Sequence, residues 1–364
     1  MRRLAAILLI LLLLAGCGAE SPAAEEEPTP LPTEEPVRFL DLGGESVPID
    51  VEALAPAGVT AEELLEAAPL FTALRSLDLR GCAFENEELL RLREACPQAE
   101  ITANISLYGQ EFTTNVTELD FSGTPLEDAG ELEALLPLLP ELEKVIMSDC
   151  GIGNEEMDAL NRRHENVRFV WTIYFGRAYY LRTDETAFIA SLFQGKQSNY
   201  SNLRDEDVEV LKYCEDMVAL DLGHMSFTNC EFVRNMPHLR YLILADTPVQ
   251  DISPLAGLEE LWYLELFNCR LNEIAPLLEC PSLRHLNLCY LDVHDAELLA
   301  EMTELERLWY MSPYISREEY DWLLTILPDT EKQLGMTGSS TGGGWRSHPA
   351  YFEMRDAFGA FYIP

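Results

Sequence analysis

The apolar positions follow a fixed rhythm over most of the chain. Segments beginning at Leu74, Val116, Leu142, Met217, Leu239, Leu261, Leu283 and Leu305 share one arrangement, L-x-x-L-x-L-x-x-[CNT]-x-L. The last five starts follow one another at steps of 22 residues. A fixed period of this length marks a stacked repeat architecture. Within each segment the x-L-x-L-x core alternates, which predicts a short strand with Leu on one face and variable residues on the other. No single unit buries its Leu face alone, so neighbours stack and their strands form a parallel sheet about 4.8 Å apart.

The first half of the chain has longer steps. Residues 82–107 and 150–175 align at an offset of 68, with Cys82 matching Cys150, Asn86 matching Asn154, Leu92 matching Leu160 and Ile105 matching Ile173. Each copy reads as an Asn-capped helix (86–95 and 154–164), then an alternating strand (99–107 and 167–175). A turn at Tyr108-Gly109 or Phe175-Gly176 and a second short strand complete two β-hairpin insertions. Residues 182–204 follow no template, and a helix over 205–214 leads into the regular array. Both ends read as caps. Residues 37–54 alternate as a hairpin around Gly43-Gly44, and Thr60-Ala61-Glu62-Glu63 is a capping box that opens a helix. Ser316 opens a helix running to Leu327, stopped by Pro328. A Gly-rich loop and an aromatic helix around 350–358 end the chain.

This pattern resembles the leucine-rich repeat family over roughly residues 74–315. The stretch from Val249 to Cys269 is similar to the 22-residue repeats of internalin-type bacterial surface proteins, with their D-I-x-P-L turn. It departs from them where they carry Asn: Thr247, Cys269 and Leu291 stand there instead. The resemblance implies an α/β solenoid, a curved array with a parallel concave sheet, and a binding role. Cys82, Cys150 and Cys269 at the turn position read as small buried hydrophobes rather than as disulfide or metal partners.

The N-terminus changes the picture of location. Arg2 and Arg3 precede an apolar run, Leu4 to Leu14, too short to span a bilayer of roughly 30 Å. Leu14-Ala15-Gly16-Cys17 follows and resembles the lipobox of bacterial lipoproteins, which implies diacylglyceryl attachment at Cys17 and an extracytoplasmic body held at the membrane. Residues 18–36 carry five Pro and six Glu and no basic residue. Such a stretch stays extended, so it reads as a tether. The parts are then a signal peptide (1–17), the tether (18–36), an N-terminal cap (37–73), long repeats (74–216), regular repeats (217–315) and a C-terminal cap with its tail (316–364).

Charge narrows the partners. The chain carries 25 Lys+Arg against 63 Asp+Glu, a net charge of −38. Residues 37–364 hold −34 of it. Such a body repels phosphate backbones, so nucleic acid is excluded as a partner, and the membrane is reached only through the lipid. A protein or peptide partner should be neutral or basic. A monomer is expected.

No C-x-x-C or H-E-x-x-H spacing occurs, and no EF-hand loop, so no metal or other cofactor is expected. The Gly- and Ser-rich stretch around 339–346 lacks the strand-to-helix context that a G-x-S-x-G nucleophile elbow needs. Two features keep an envelope hydrolase open as a rival: an acidic column on the concave face (Asp78, Asp120, Asp221) and the loop 339–346. The loop reads more simply as a connector that places Trp345.

The concave face offers the binding candidates. Its solvent-facing positions should be polar, yet Tyr241, Ile243, Tyr263, Phe267, Trp309 and Met311 cluster in the last four repeats, beside Glu265, His285, Asn287 and Arg307. Exposed aromatics on a rigid sheet mark a recognition surface. The same pattern is satisfied if the aromatic C-terminal tail folds back and covers them. The sequence leaves both arrangements open.

Overall fold

A computed structural model describes residues 38–191, 202–271, 273–335 and 344–359. Cys17, the tether and the loop residues Ser339 to Gly343 lie outside them.

The N-terminal cap is a hairpin of β1 (Phe39–Leu42) and β2 (Glu45–Pro48). Gly43 and Gly44 both have positive φ (62° and 83°), as a two-residue primed turn requires. The expected hairpin over 37–54 stops short of its end: β3 (Ala53–Leu54) leaves it to become the first rung of the solenoid, parallel to β4. Between β3 and β4 lies α1 (Ala61–Ala67), and the Thr60–Glu63 capping box is present in full. β4 (Ser76–Asp78), α2 (Asn86–Ala95) and β5 (Glu100–Thr102) follow.

The expected strand over 99–107 divides at Ala103. β5 pairs back onto β4 in parallel, whereas β6 (Asn104–Leu107) turns away and pairs antiparallel with β7 (Gln110–Thr113). The second module repeats this. β8 (Glu118–Asp120), α3 (Gly130–Leu135), β9 (Lys144–Ile146), α4 (Asn154–Arg163) and β10 (Arg168–Val170) form another three-rung unit. β11 (Thr172–Phe175) and β12 (Tyr179–Arg182) form its hairpin. Each hairpin carries its strands out of the parallel ladder. Among the described residues the rungs therefore form three separate parallel sheets rather than the one continuous concave sheet that the repeat pattern suggested.

The third sheet has seven strands. It starts at β13 (Ala187–Ile189), in the stretch that matched no template. A short α5 (Asp205–Val208) follows, then β14 (Ala219–Asp221), β15 (Tyr241–Ile243), β16 (Tyr263–Glu265), β17 (His285–Asn287) and β18 (Arg307–Met311). After α6 (Arg317–Leu323), β19 (Glu331–Gly335) adds a last rung that the sequence pattern did not announce. Helix α6 ends at Leu323, four residues before the predicted stop. The tail helix is α7 (Pro349–Ala357).

Repeat length explains what covers the other side of each rung. The longer modules accommodate ten-residue helices, α2 and α4. The 22-residue steps leave room only for 3₁₀ turns such as Glu231–Asn235 and Ala275–Glu279. Asn86 and Asn154 are not the caps expected of them, because Glu85 and Gly153 hold that position. Their side chains brace the hairpins instead: Asn86 Nδ2 donates to the Ser106 carbonyl (2.7 Å) and Asn154 Oδ1 accepts from Trp171 Nε1 (2.8 Å).

One buried cluster runs from Leu42 to Leu327 and contains Leu220, Leu242, Leu264, Leu286 and Leu308, the inward residues of successive rungs. Backbone bonding continues past the strands. His224, Asp246, Asn268 and Tyr290, each at positive φ (54–65°), donate their amides to the next rung's carbonyls at 2.6–2.9 Å. Asn, Asp and His tolerate this left-handed conformation better than most residues. The turn thiols bond inward too: Cys82 Sγ donates to the Pro56 carbonyl, Cys150 to Phe121 and Cys269 to Leu244, at 3.1–3.3 Å. Small donors thus replace Asn at this position. All eight described cysteines are free thiols.

Candidate functional site

The face of the seven-stranded sheet away from the Leu core carries a second buried cluster. It comprises Tyr241, Ile243, Tyr263, Trp309 and Met311 from the sheet with Trp345, Tyr351, Met354 and Phe358 from the C-terminal segment. Of the two arrangements left open by the sequence, the structure has the covered one. Tyr241, Ile243, Tyr263, Glu265, His285, Asn287, Arg307, Trp309 and Met311 are all buried, and Phe267 is half-buried. These residues do come together on one surface, but that surface is not open to solvent in this state.

The segment seats itself through a few defined contacts. Gly344 enters at φ 82°, and Trp345 then drops into the sheet with no exposed surface. Its ring lies 5.3 Å from Tyr263 and 5.3 Å from Trp309. The Arg307 guanidinium stands over both indoles, 4.3 Å from Trp345 and 4.7 Å from Trp309, and Nη2 donates to the Trp345 carbonyl at 3.2 Å. Stacking of this kind adds to plain burial. His348 caps α7 by accepting from the Ala350 amide at 3.1 Å. Tyr351, Met354 and Phe358, spaced as one helix face, pack on the sheet, while Phe352 points away and is half exposed. At the rim, Arg240 Nη2 and Tyr241 OH both donate to Glu353 Oε1 at 3.1 Å.

Burial sets the charges. Glu265 accepts from Tyr263 OH (2.5 Å) and Trp345 Nε1 (2.9 Å). Burial raises its pKa above the usual carboxylate range, and those two hydrogen bonds oppose the rise. Asp221, two rungs away, is pushed up to about 6 by burial. His285 is pushed down to about 3, by burial first and then by Arg307, so its ring is neutral at ordinary pH.

The acidic column does not assemble. Asp78, Asp120 and Asp221 belong to three different sheets. Each carboxylate accepts from the amide two residues on: Arg80 at 3.1 Å, Ser122 at 2.8 Å and Gly223 at 2.9 Å. Asn287 does the same with Cys289 at 3.1 Å. This column position therefore shapes the turn after the strand. Arg80 also pairs with Asp78 at 2.7 Å and holds its carboxyl near 2. Among the described residues no group of three or more His, Cys, Asp or Glu is placed to hold a metal ion. A groove of about 660 Å³ lies open along the rim, lined by His224, Asp246, Asn268, Arg270, Tyr290 and Tyr314 among others.

Trp345, which the sequence reading had the loop place, belongs to this site, as do His348, Glu353 and Met354, which that reading did not single out. The readable signal was Tyr351, Met354 and Phe358 at helical spacing behind an isolated Trp. Among the described residues no helix is long and apolar enough to cross a membrane.

No protein-family model matches the chain, and no curated protein does. Solved structures do. The chain is similar to internalin C2 of Listeria monocytogenes at 18% identity and TM-score 0.28, over 34% of this chain and 57% of that one. An internalin of the same species, inlF, matches at 16% identity and TM-score 0.30, over 76% and 67% of the two chains. A leucine-rich repeat protein of Leptospira interrogans matches at 13% identity and TM-score 0.30, over 74% of each chain. The chain thus spans a little over half the length of the internalin C2 chain it matches. Likenesses this distant leave the repeat geometry described above as the ground for reading a leucine-rich repeat solenoid.

Proposed function

We propose that this chain is a non-enzymatic bacterial surface protein that binds a protein or peptide partner through the concave-side face of its seven-stranded sheet. Lipid on Cys17 would anchor it at the membrane, and residues 18–36 would hold the body clear. The observation that supports the reading is the C-terminal segment itself. A peptide-like stretch with one indole anchor and an aromatic helix face already occupies Tyr241, Ile243, Tyr263, Trp309 and Met311, with Glu265 and Arg307 meeting its polar groups. That is the chemistry of a helix-in-groove interface, made within one chain. A partner would take over this place with an apolar anchor of its own. The net charge of −34 on residues 37–364 favours a neutral or basic one.

Peptide display on the full chain and on a Trp345→Ala/Tyr351→Ala/Phe358→Ala variant tests this. The variant should select helical peptides with an aromatic anchor, and Tyr263→Ala in that background should lose them. A variant that selects no aromatic peptide, or one indifferent to Tyr263→Ala, refutes the reading.

A further inference from the structure

Several polar atoms on the covered face, most of them donors, have no partner. Among the described residues, Arg307 Nη1, Asn287 Nδ2, Trp309 Nε1 and both ring nitrogens of His285 are buried without a hydrogen-bond partner. None of the four residues is more than 2% exposed. They are not scattered. β17 and β18 pair in parallel with His285 beside Arg307 and Asn287 beside Trp309. The four side chains therefore form a two-by-two block, about 5 Å across the strands and about 7 Å along them.

The block is one-sided in chemistry. Arg, Trp and the Asn amide nitrogen only donate, and neutral His285 adds one N–H. A buried donor left unmade costs more than the same bond contributes when made, so such a cluster is uncommon in a folded interior. Arg307 is the strongest case. Its Nη2 is used by the Trp345 carbonyl, and its Nε faces Glu331 only at 3.6 Å, a carboxylate more than half in water. The Nη1 edge of a buried guanidinium is thus left without an anion. The Glu265 carboxylate, two rungs away on β16, does not supply one: its Oε1 is engaged by Tyr263 and Trp345, and Arg307 Nη1 has no hydrogen-bond partner. A cationic ligand would meet the Arg307 guanidinium and these donors, with one bare ring nitrogen of His285 as acceptor. A carboxylate offers two oxygens with about four acceptor sites in the plane that a guanidinium edge matches.

We propose that this block is a carboxylate-recognition site. A partner's carboxylate, either a peptide C-terminus or an Asp or Glu side chain, is received by Arg307 Nη1, and Asn287 Nδ2 and Trp309 Nε1 complete the bonds to its oxygens. An aromatic residue beside that carboxylate fills the slot that Trp345 holds within the chain. The assignment rests on the concave-side binding reading above and specifies its ligand: a segment neutral or basic as a whole that presents one carboxylate next to one aromatic ring.

Complementation of the Trp345→Ala full chain tests it, because that variant opens an indole-sized slot against Tyr263, Trp309 and Arg307. Three probes are titrated by calorimetry: N-acetyl-tryptophan, N-acetyl-tryptophanamide and N-acetyl-aspartyl-tryptophanamide. One charge-assisted bond corresponds to at least about a tenfold gain in affinity. At least one acid should therefore bind at least about tenfold more tightly than the neutral amide, and which acid does so identifies the source as chain end or side chain. Arg307→Gln in the same background should bring that preference within about twofold of unity, the difference of a lost charge-assisted bond. Equal binding of acid and amide, or a preference that survives Arg307→Gln, overturns the carboxylate site but leaves the aromatic slot standing. Binding of none of the three overturns the slot as well. Should Trp345→Ala not fold, Trp345→Phe leaves a smaller gap beside Arg307 and is titrated with formate against formamide, with the same expectation and the same refutation.

Discussion

Trp345→Ala should make the C-terminal segment open far more often while the solenoid stays folded. Trp345 has no exposed surface, and a buried indole removes roughly 200 Å² from water, worth about 5 kcal/mol at 25 cal/mol/Å². Measured truncations of this kind cost about 3–5 kcal/mol. The change also strips Glu265 of its indole donor, which leaves a buried carboxylate oxygen with Tyr263 alone. The segment's other holds include three side chains of one helix face, the Arg307 bond to the residue-345 carbonyl and the Glu353 contacts at the rim. Its local opening should absorb nearly the whole loss, because the Leu cluster of the solenoid does not include Trp345. At 1.4 kcal/mol per factor of ten, opening becomes roughly a hundred to several thousand times more frequent. Amide hydrogen exchange reads this directly. Amides of residues 350–357 should exchange faster by that factor, while those of Leu242, Leu264 and Leu286 keep their protection. Trp345→Phe retains most of the buried area and loses the N–H, so its effect should be far smaller. A change below about tenfold in residues 350–357 for Trp345→Ala, or an equal loss of protection in the core leucines, would refute the idea that this segment is a separately openable unit anchored by one indole.

Other outcomes follow from particular residues. Burial raises Asp221 to about 6 and lowers His285 to about 3, so both act over the same acid range with opposite sign. The folded state holds its proton on Asp221 more tightly than the unfolded chain does, so this group's contribution falls as pH rises from near 4 to about 6. His285 resists protonation when folded, so its contribution is full above about 6.5 and is lost as pH falls toward 3. Denaturant titrations across pH 3–7 should show Asp221→Asn steepening acid destabilisation and His285→Gln flattening it; parallel curves would contradict the assignment. Gly109 and Gly176 both hold positive φ (78° and 56°), but an added Cβ meets nothing within 4 Å at Gly109, whereas at Gly176 it lies 2.7 Å from Leu203 Cδ2. Thermal denaturation should therefore show Gly109→Ala costing about 1 kcal/mol and Gly176→Ala clearly more. Cys269→Ala removes the thiol bond to the Leu244 carbonyl and leaves a small gap, and should cost about 1–2 kcal/mol by chemical denaturation, with no change in oxidation state since the thiol is unpaired.

The regular rungs were legible because period and alternation are local properties. Leu242, Leu264, Leu286 and Leu308 could be placed in the core, and Tyr241, Tyr263 and Trp309 on the opposite face, from spacing alone. Strand β13 was not legible, since its Ala187-Phe188-Ile189 core sits in no leucine frame. The division of residues 99–107 into β5 and β6 was hidden for another reason: the alternation continues unbroken, and only partner choice separates a rung from a hairpin arm. The covering of the aromatic face was posed by the sequence but not decided by it. Contacts between Trp345 and Glu265 join residues far apart in the chain, and no local pattern encodes such a pairing. The acidic column misled in a specific way, because Asp78, Asp120 and Asp221 look like a converging set when the repeats are aligned. The hairpins place them on separate sheets, where each bonds a turn amide.

The order of elements along the chain carries a last consequence. The aromatic face is complete once β18 has formed, but the segment that covers it follows β19. A chain made from its N-terminus must therefore pass through a stage in which the solenoid stands finished with Tyr241, Tyr263 and Trp309 bare. A bare aromatic patch of that kind invites self-association, and it is most dangerous while neighbouring chains are in the same state. The final helix is then a closing step in assembly, and any chain cut short before Trp345 would present its stickiest surface permanently.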